Sequence, residues 1–380
     1  MTPSGAPEVA LTLVIPLRAK AGMSLPDFYQ YWLNAHVTLP PRFPGISSIW
    51  LHVVSFDHQR WPRLPGVSYR PEPQDEFHGV PEATFPTMAD LELFQSYAHV
   101  QMVDGINFLG EVITYASVGD HSATIVDKLD AAPDGHDDLV RHLLFLHRRA
   151  DVQAGELRRF VTETLEPAWA SSPEVLKLRR HLFEPLEATL DHPGVVLYKP
   201  PELQYQAAVE VVVADEDALA RFVASRAFTG TADGLAAHCE GVHAARVDRC
   251  ITTKDRGAIT LAGVRGVAVA DLIRRLEADS QRDEAVSVNA GEAANLVRAS
   301  SSATTTSTAA WYWSSGGLNR ITPGWSRVAS SGSNRCRRSF RTSGAPPQAG
   351  SRVSVTNRRS SPAGTSARRR RNSRCRTRSS

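Results

Sequence analysis

The sequence predicts an α+β fold built from two consecutive ferredoxin-like β-α-β-β-α-β units, and three observations lead to it. Residues 11–54 match residues 140–183 by residue type at a constant offset of 129, without a gap. In both copies the apolar residues pass through the same succession of strand-like and helix-like spacings, as expected of a repeated unit. With 380 residues, 42% of them apolar, the chain can fill two such cores, which excludes a wholly disordered protein.

The elements follow in order. Leu11, Val14, Ile15 and Leu17 fall on Val140, Leu143, Leu144 and Leu146, a buried strand in each copy. Phe28, Tyr31, Trp32 and Ala35 fall on Leu157, Phe160, Val161 and Thr164, the i, i+3, i+4, i+7 stripe of an amphipathic helix. Pro44 falls on Pro173, and His52 on His181 in a second strand. The offset then becomes 128. Phe77–Phe85 matches Tyr205–Val213 as a third strand carrying Glu82 and Glu210, and Leu91 and Phe94 match Leu219 and Phe222 in a second helix. Ser24-Leu-Pro-Asp27 and Thr87-Met-Ala-Asp90 have the form of capping boxes at the two helix starts of the first copy. A last strand near Glu111–Tyr115, and near Asp248–Thr253, completes each β-α-β-β-α-β unit.

The strand Leu11–Leu17, the segment Ser24-Leu-Pro-Asp-Phe-Tyr-Gln-Tyr-Trp-Leu-Asn-Ala-His36, Pro44-Gly45, the His52 strand and the Glu82 strand that runs into a helix together resemble the EthD family of dimeric α+β barrels. The aromatic-Trp pair followed by His36 at the end of the first helix is the most specific part. The resemblance covers about 110 residues of the first copy; the second has Leu165 in place of His36 and is similar to a degenerate unit of the same kind. It implies that two units pack sheet to sheet into one dimeric-type α+β barrel, here within a single chain. It also implies oxidoreductase-type or accessory roles in oxidative degradation, or cyclisation and dehydration, without choosing between them.

The resulting boundaries are an EthD-like unit over 8–118, a polar linker over 119–138, the degenerate unit over 139–257, an appended helical segment over 258–292 with Val269, Leu272, Ile273 and Leu276 as its apolar spacing, and a disordered Ser/Arg-rich tail over 293–380. Within the first unit, the segment Asp57–Gln74, with four prolines, either covers the barrel mouth or is a surface insertion. Seventeen arginines and no acidic residue follow Glu292; the remaining 26 basic and 40 acidic residues leave 1–292 at −14. An acidic folded part argues against nucleic acid as a partner. The tail is either a basic arm, strongest at Arg368–Arg371, or the product of out-of-frame translation, since it holds no Lys and its aromatics Trp311, Tyr312, Trp313 and Trp325 follow no period. No stretch reaches the roughly 20 apolar residues that span a bilayer, and four cysteines without close pairing fit a reducing compartment, so a cytoplasmic protein is expected.

For the site, strand alternation places Trp50 and His52, and then His78 and Glu82, on the barrel-lumen face, with His181 and Glu210 as their counterparts. Two readings of these His and Glu residues stand: acid–base groups tuned in a partly desolvated pocket, or satisfied buried pairs that orient the sheet. His36 sits on the core-facing stripe four residues after Trp32, and its replacement by Leu165 shows that the fold tolerates an apolar residue there. The expected catalytic set is therefore His36, His52 and Glu82, and the expected substrate-binding set Trp32, Trp50, His78, His181 and Glu210. No phosphate-binding glycine loop, nucleophile elbow or zinc spacing occurs. No cofactor and no metal are predicted, with heme kept as a minor alternative because related barrels hold it. The expected partner is a hydrophobic small molecule, bound by an enzyme or by a non-catalytic carrier, in a chain that is a monomer with an intrachain barrel or a homodimer.

Overall fold

A computed structural model describes residues 10–56, 60–186 and 194–281. The expectations for the tail and for 282–292 lie outside the described residues.

In the first unit β1 (Leu11–Val14) and β2 (Leu17–Ala19) are one strand broken at Pro16, which has no N–H for the ladder. Then come α1 (Leu25–Asn34), β3 (Ser48–Ser55), β4 (Gly79–Phe85), α2 (Met88–Gln95), α3 (Ala98–Gly105), β5 (Leu109–Val112), β6 (Tyr115–Val118) and β7 (Ser122–Asp127). Both expected helix caps form: Ser24 Oγ accepts the Asp27 N–H at 3.2 Å, and Thr87 Oγ1 the Asp90 N–H at 3.1 Å. The second unit has β8 (Val140–Arg148), α4 (Ala154–Arg159), a wide π-type turn over Phe160–Leu165, α5 (Glu166–Ala170), β9 (Lys177–Leu182), β10 (Ala207–Val213), α6 (Glu216–Ala224), α7 (Arg226–His238) and β11 (Cys239–Asp255). β12 (Ala258–Ile259), α8 (Leu261–Arg265) and α9 (Val267–Arg275) follow.

Strand order is last-first-third-second in each unit: β5/β6, β1/β2, β4, β3 in one and β11, β8, β10, β9 in the other, all antiparallel. This is the ferredoxin-like arrangement, with helices on one face of each sheet. The units are joined by an exchange of strand ends. The first half of β11 pairs with β8, and the second half crosses to β3, setting Cys250 opposite His52. β7 continues from β6 and crosses in the same way to β9, setting Ser122 opposite His181. The two crossings close the sheet into an α+β barrel supplied by one chain. Buried apolar residues accordingly form three groups: one under the helices of each unit and one in the lumen.

The structure corrects three sequence expectations. The supposed linker carries β7, a half-exposed strand whose mixed sequence Ser-Ala-Thr-Ile-Val-Asp has no apolar run to reveal it; pairing to β9 holds it. The last strand of the second unit is much longer than Asp248–Thr253, and that stretch is the half that pairs with the first unit. Helix α9 buries Val267, Ala270 and Ile273, whereas Val269, Leu272 and Leu276 are exposed. Gly266, at φ +82°, sets that rotation by lying against Asn34 at the end of α1, where a Cβ would meet the Asn34 carbonyl oxygen at 2.7 Å; the Ala268 N–H also donates to Asn34 Oδ1 at 2.7 Å. The proline-rich segment runs largely exposed over the surface, as one of its two expected readings has it, but anchors itself by carrying Trp61 into the helix-side core of the second unit.

Candidate functional site

The lumen is a packed ionic core. Glu82 takes the Arg179 guanidinium at 2.6 Å and has His181 and His52 at 3.7 and 3.9 Å; Glu210 takes Arg141 at 2.6 Å and Lys177 at 2.8 Å. Arg179 lies over the Trp50 ring at 5.6 Å, and Phe77, Phe145, Phe183 and Tyr115 fill the space beyond. Burial alone would raise the Glu82 carboxyl, but Arg179 and the two histidines hold it far below its ordinary range, and Lys177 and Arg141 do the same for Glu210. Burial also disfavours charge on the histidines. At His52 it is outweighed by Cys250, Glu82 and Glu210, which lift the pKa to about 9; at His181, with Arg179 adjacent, it prevails and the pKa falls to about 4.

Of the expected lumen residues, Trp50, His52, Glu82, His181 and Glu210 therefore meet in one charge network. His78 does not join them. The alternation breaks where β4 begins at Gly79, so Phe77 enters the lumen while His78 faces the helices, accepting the Ala19 N–H at 3.1 Å and lying edge-on to Phe28 at 5.8 Å. Gly79 is required there because the Trp32 ring lies against it; a Cβ would come within 2.4 Å.

The network has a stability signature. His52 is raised above the ordinary imidazole value of 6.5, so its contribution is complete below that pH and is lost as pH rises towards 9. His181 is lowered, so its contribution is complete above pH 6.5 and is lost as pH falls towards 4; below the ordinary carboxyl range the contribution of the depressed Glu82 and Glu210 begins to be lost as well, because the unfolded chain then takes up protons that the folded one does not. The melting temperature should peak near pH 6.5, and His52→Asn should flatten the alkaline limb alone. A melting temperature independent of pH from 5 to 9 would count against this network.

An open volume lies between the first unit's sheet and its helices. It is a partly open apolar cavity of about 120 Å³, walled on the sheet side by Leu13, Ile49, Leu51, Ala83 and Phe85, and on the helix side by Trp32, His36, Phe94 and Met102. Its size is comparable with an apolar cavity of about 150 Å³ that takes one benzene. His36 stands two residues past the end of α1, opening the short turn His36–Thr38, and is 4% exposed. Its Nδ1 meets Asp104 Oδ2 at 2.7 Å, and the Tyr31 hydroxyl donates to Asp104 Oδ1 at 2.6 Å. The His36 hydrogen bond, with Tyr31 assisting, holds the Asp104 carboxyl below its ordinary value against the opposing effect of burial, and the bond to Asp104 raises the Tyr31 phenol. An ionised Asp104 accepts from Nδ1–H, which leaves the lone pair of Nε2 as the basic group available in the cavity. Helices α8 and α9 brace this corner, since the Arg42 guanidinium next to the turn donates to the Val264 carbonyl at 3.1 Å.

In the second unit Trp61 occupies the corresponding place. Its ring stacks on Trp169 at 6.0 Å and meets His142, Phe222 and Phe228 at 5.6, 6.1 and 5.7 Å. By the same offsets His142, Trp169 and Phe222 correspond to Leu13, Pro40 and Phe94, all of which line the first-unit cavity. The indole thus occupies the counterpart of the cavity. The polar group is absent there too: Tyr31, Asp104 and His36 correspond to Phe160, Ala232 and Leu165.

Asp104 and Tyr31 went unrecognised in the sequence because Asp104 lies 68 residues after His36 on another helix. The signal that reveals them is the loss of polarity at all three positions in the second copy. Among the described residues no group of three or more His, Cys, Asp or Glu side chains is placed to hold a metal ion, and no helix is long and apolar enough to cross a membrane. Heme does not fit the cavity: a porphyrin needs several times its volume, and none of its lining residues is a cation that would take the propionates.

No family model and no curated protein matches the sequence. Among solved structures, the chain is similar to a candidate monooxygenase from Lactobacillus acidophilus NCFM (12% identity, TM-score 0.38, covering 65% of this chain and 98% of that one). It is also similar to an anthrone oxidase-like protein (13%, 0.40, 66% and 95%) and to a DyP-type peroxidase from Cellulomonas bogoriensis (10%, 0.35, 65% and 91%). At TM-scores below 0.5 these likenesses bear neither on the fold assignment, which rests on strand order, nor on the chemistry.

Proposed function

We propose that the chain is a small-molecule oxidoreductase of EthD type that acts on an apolar aromatic compound in the first-unit cavity, with His36 as the base and Asp104 and Tyr31 as its positioning residues. The observation that carries this reading is the pair of buried His36 and half-buried Asp104 at an apolar cavity, with each polar member lost in the unit where Trp61 takes the corresponding place. A carboxylate that fixes the imidazole tautomer and offsets the charge of the imidazolium that forms makes Nε2 a competent base. A neutral imidazole takes a proton from carbon only where the resulting anion is delocalised, so the substrate class is a ring-stabilised carbon acid. Such an anion can react with dioxygen without a cofactor: a methylene becomes a carbonyl, one oxygen atom is retained and the other leaves as water.

The test is oxygen uptake by the full chain with a panel of compact aromatic carbon acids. Oxygen consumption matched by carbonyl product supports the reading. Turnover that persists without oxygen would point instead to cyclisation or dehydration by the same base, and saturable binding without conversion to a carrier.

A further inference from the structure

Resting on that reading, we infer that Thr253, delivered by the last strand of the second unit, is the hydrogen-bonding anchor of the first-unit cavity, so that its ligand is a compact ring compound bearing a hydroxyl or carbonyl oxygen. Ile251 packs in the helix-side core of the first unit opposite Leu51, and Thr253, the unpaired residue where the register between β11 and β3 shifts, is found on the cavity wall of that same unit. Thr253 lines the cavity and is wholly buried, yet its Oγ1 meets no hydrogen-bond partner among the described residues. Its neighbour Thr252, on the other face, gives its hydroxyl proton to the Pro133 carbonyl at 2.7 Å.

A buried hydroxyl without a partner opposes folding, and valine would fill the same space without that penalty. A ligand oxygen placed against Oγ1 removes the penalty on binding and makes the hydroxyl a selector. The second unit supports this assignment. The residue equivalent to Thr253 is Ile125, which packs in the core that Trp61 fills, so the hydroxyl is absent where no ligand can enter. The sheet wall, through Thr253, then holds the ligand oxygen, and the helix wall, through His36, faces its acidic hydrogen. The cavity is incomplete until β11 has docked on β3.

The test compares two ring compounds of equal shape, p-cresol and p-xylene, by calorimetric titration of the full chain and of its Thr253→Val and Thr253→Ser variants. Thr253→Val should weaken p-cresol about 10-fold, the effect of one uncharged hydrogen bond, and leave p-xylene unchanged or tighter; Thr253→Ser should keep the wild-type ratio of affinities. An unchanged p-cresol affinity in Thr253→Val, or no binding of either compound by the wild type, would overturn the assignment. The ratio is independent of catalysis. A shifted ratio in a chain that converts no compound leaves the anchor standing without the enzyme, and His36-dependent turnover with an unshifted ratio does the reverse.

Discussion

Replacing His36 with Leu is expected to lower turnover of any compound the first-unit cavity converts by about 10²–10⁴-fold, the usual loss when one acid–base group is removed, while the protein stays folded. The expectation of stability comes from the chain itself, because the second unit already buries Leu165 completely at the equivalent place. Asp104 is not stranded by the change: its side chain is 23% exposed and keeps the Tyr31 hydroxyl at 2.6 Å. A melting temperature within a few degrees of wild type, together with the collapse in rate, separates chemistry from packing. Affinity for p-cresol should change little, since the anchor lies on the opposite wall. His36→Leu with full turnover would remove the base and with it the catalytic reading.

Trp61→Ala should cost about 3–5 kcal/mol, as large-to-small changes at buried aromatic sites do, and free indole should restore part of the loss. The residue is 6% exposed and its ring contacts Trp169, Phe222, Phe228 and His142, a wall with no other element to collapse into the gap. Added indole stabilises the folded variant in proportion to the logarithm of its concentration above Kd, about 2.7 kcal/mol at one hundred times Kd. Thermal melts in an indole series should show a larger upward shift for the variant than for the wild type. Equal shifts would mean that Trp61 is an ordinary surface staple and that the second unit contains no counterpart of the cavity.

The fold was legible in the sequence because its evidence is periodic. The offsets 129 and 128 that align Leu11 with Val140 and Glu82 with Glu210 also align the start of β3 with that of β9 and both bounds of β4 with those of β10. The site was legible only in part. Trp32 and His36 share the spacing of one helical stripe in the sequence, and although His36 falls just past the end of α1, both line the cavity. The lumen residues drew attention because buried His and Glu are conspicuous, but parity says which face a side chain takes and not whether that face is empty or filled. Conversely, β7, Trp61, Asp104 and Thr253 owe their places to pairings between distant segments, and local composition carries no trace of those. His78 shows the limit of parity, because one irregular residue before Gly79 reverses the face of everything upstream.

The crossed ends of β7 and β11 also set a timetable for folding on the ribosome. Strand β3 emerges about 200 residues before the half of β11 that covers its free edge. At ordinary synthesis rates that edge stays bare for roughly 10–40 s. During that interval Ser48–Ser55, with Ile49, Leu51 and Val53 in its sequence, is a strand edge open to pairing with any neighbouring nascent chain. A chain stopped short of Arg246 would never close it, so premature termination in the second unit should yield aggregates seeded from the first.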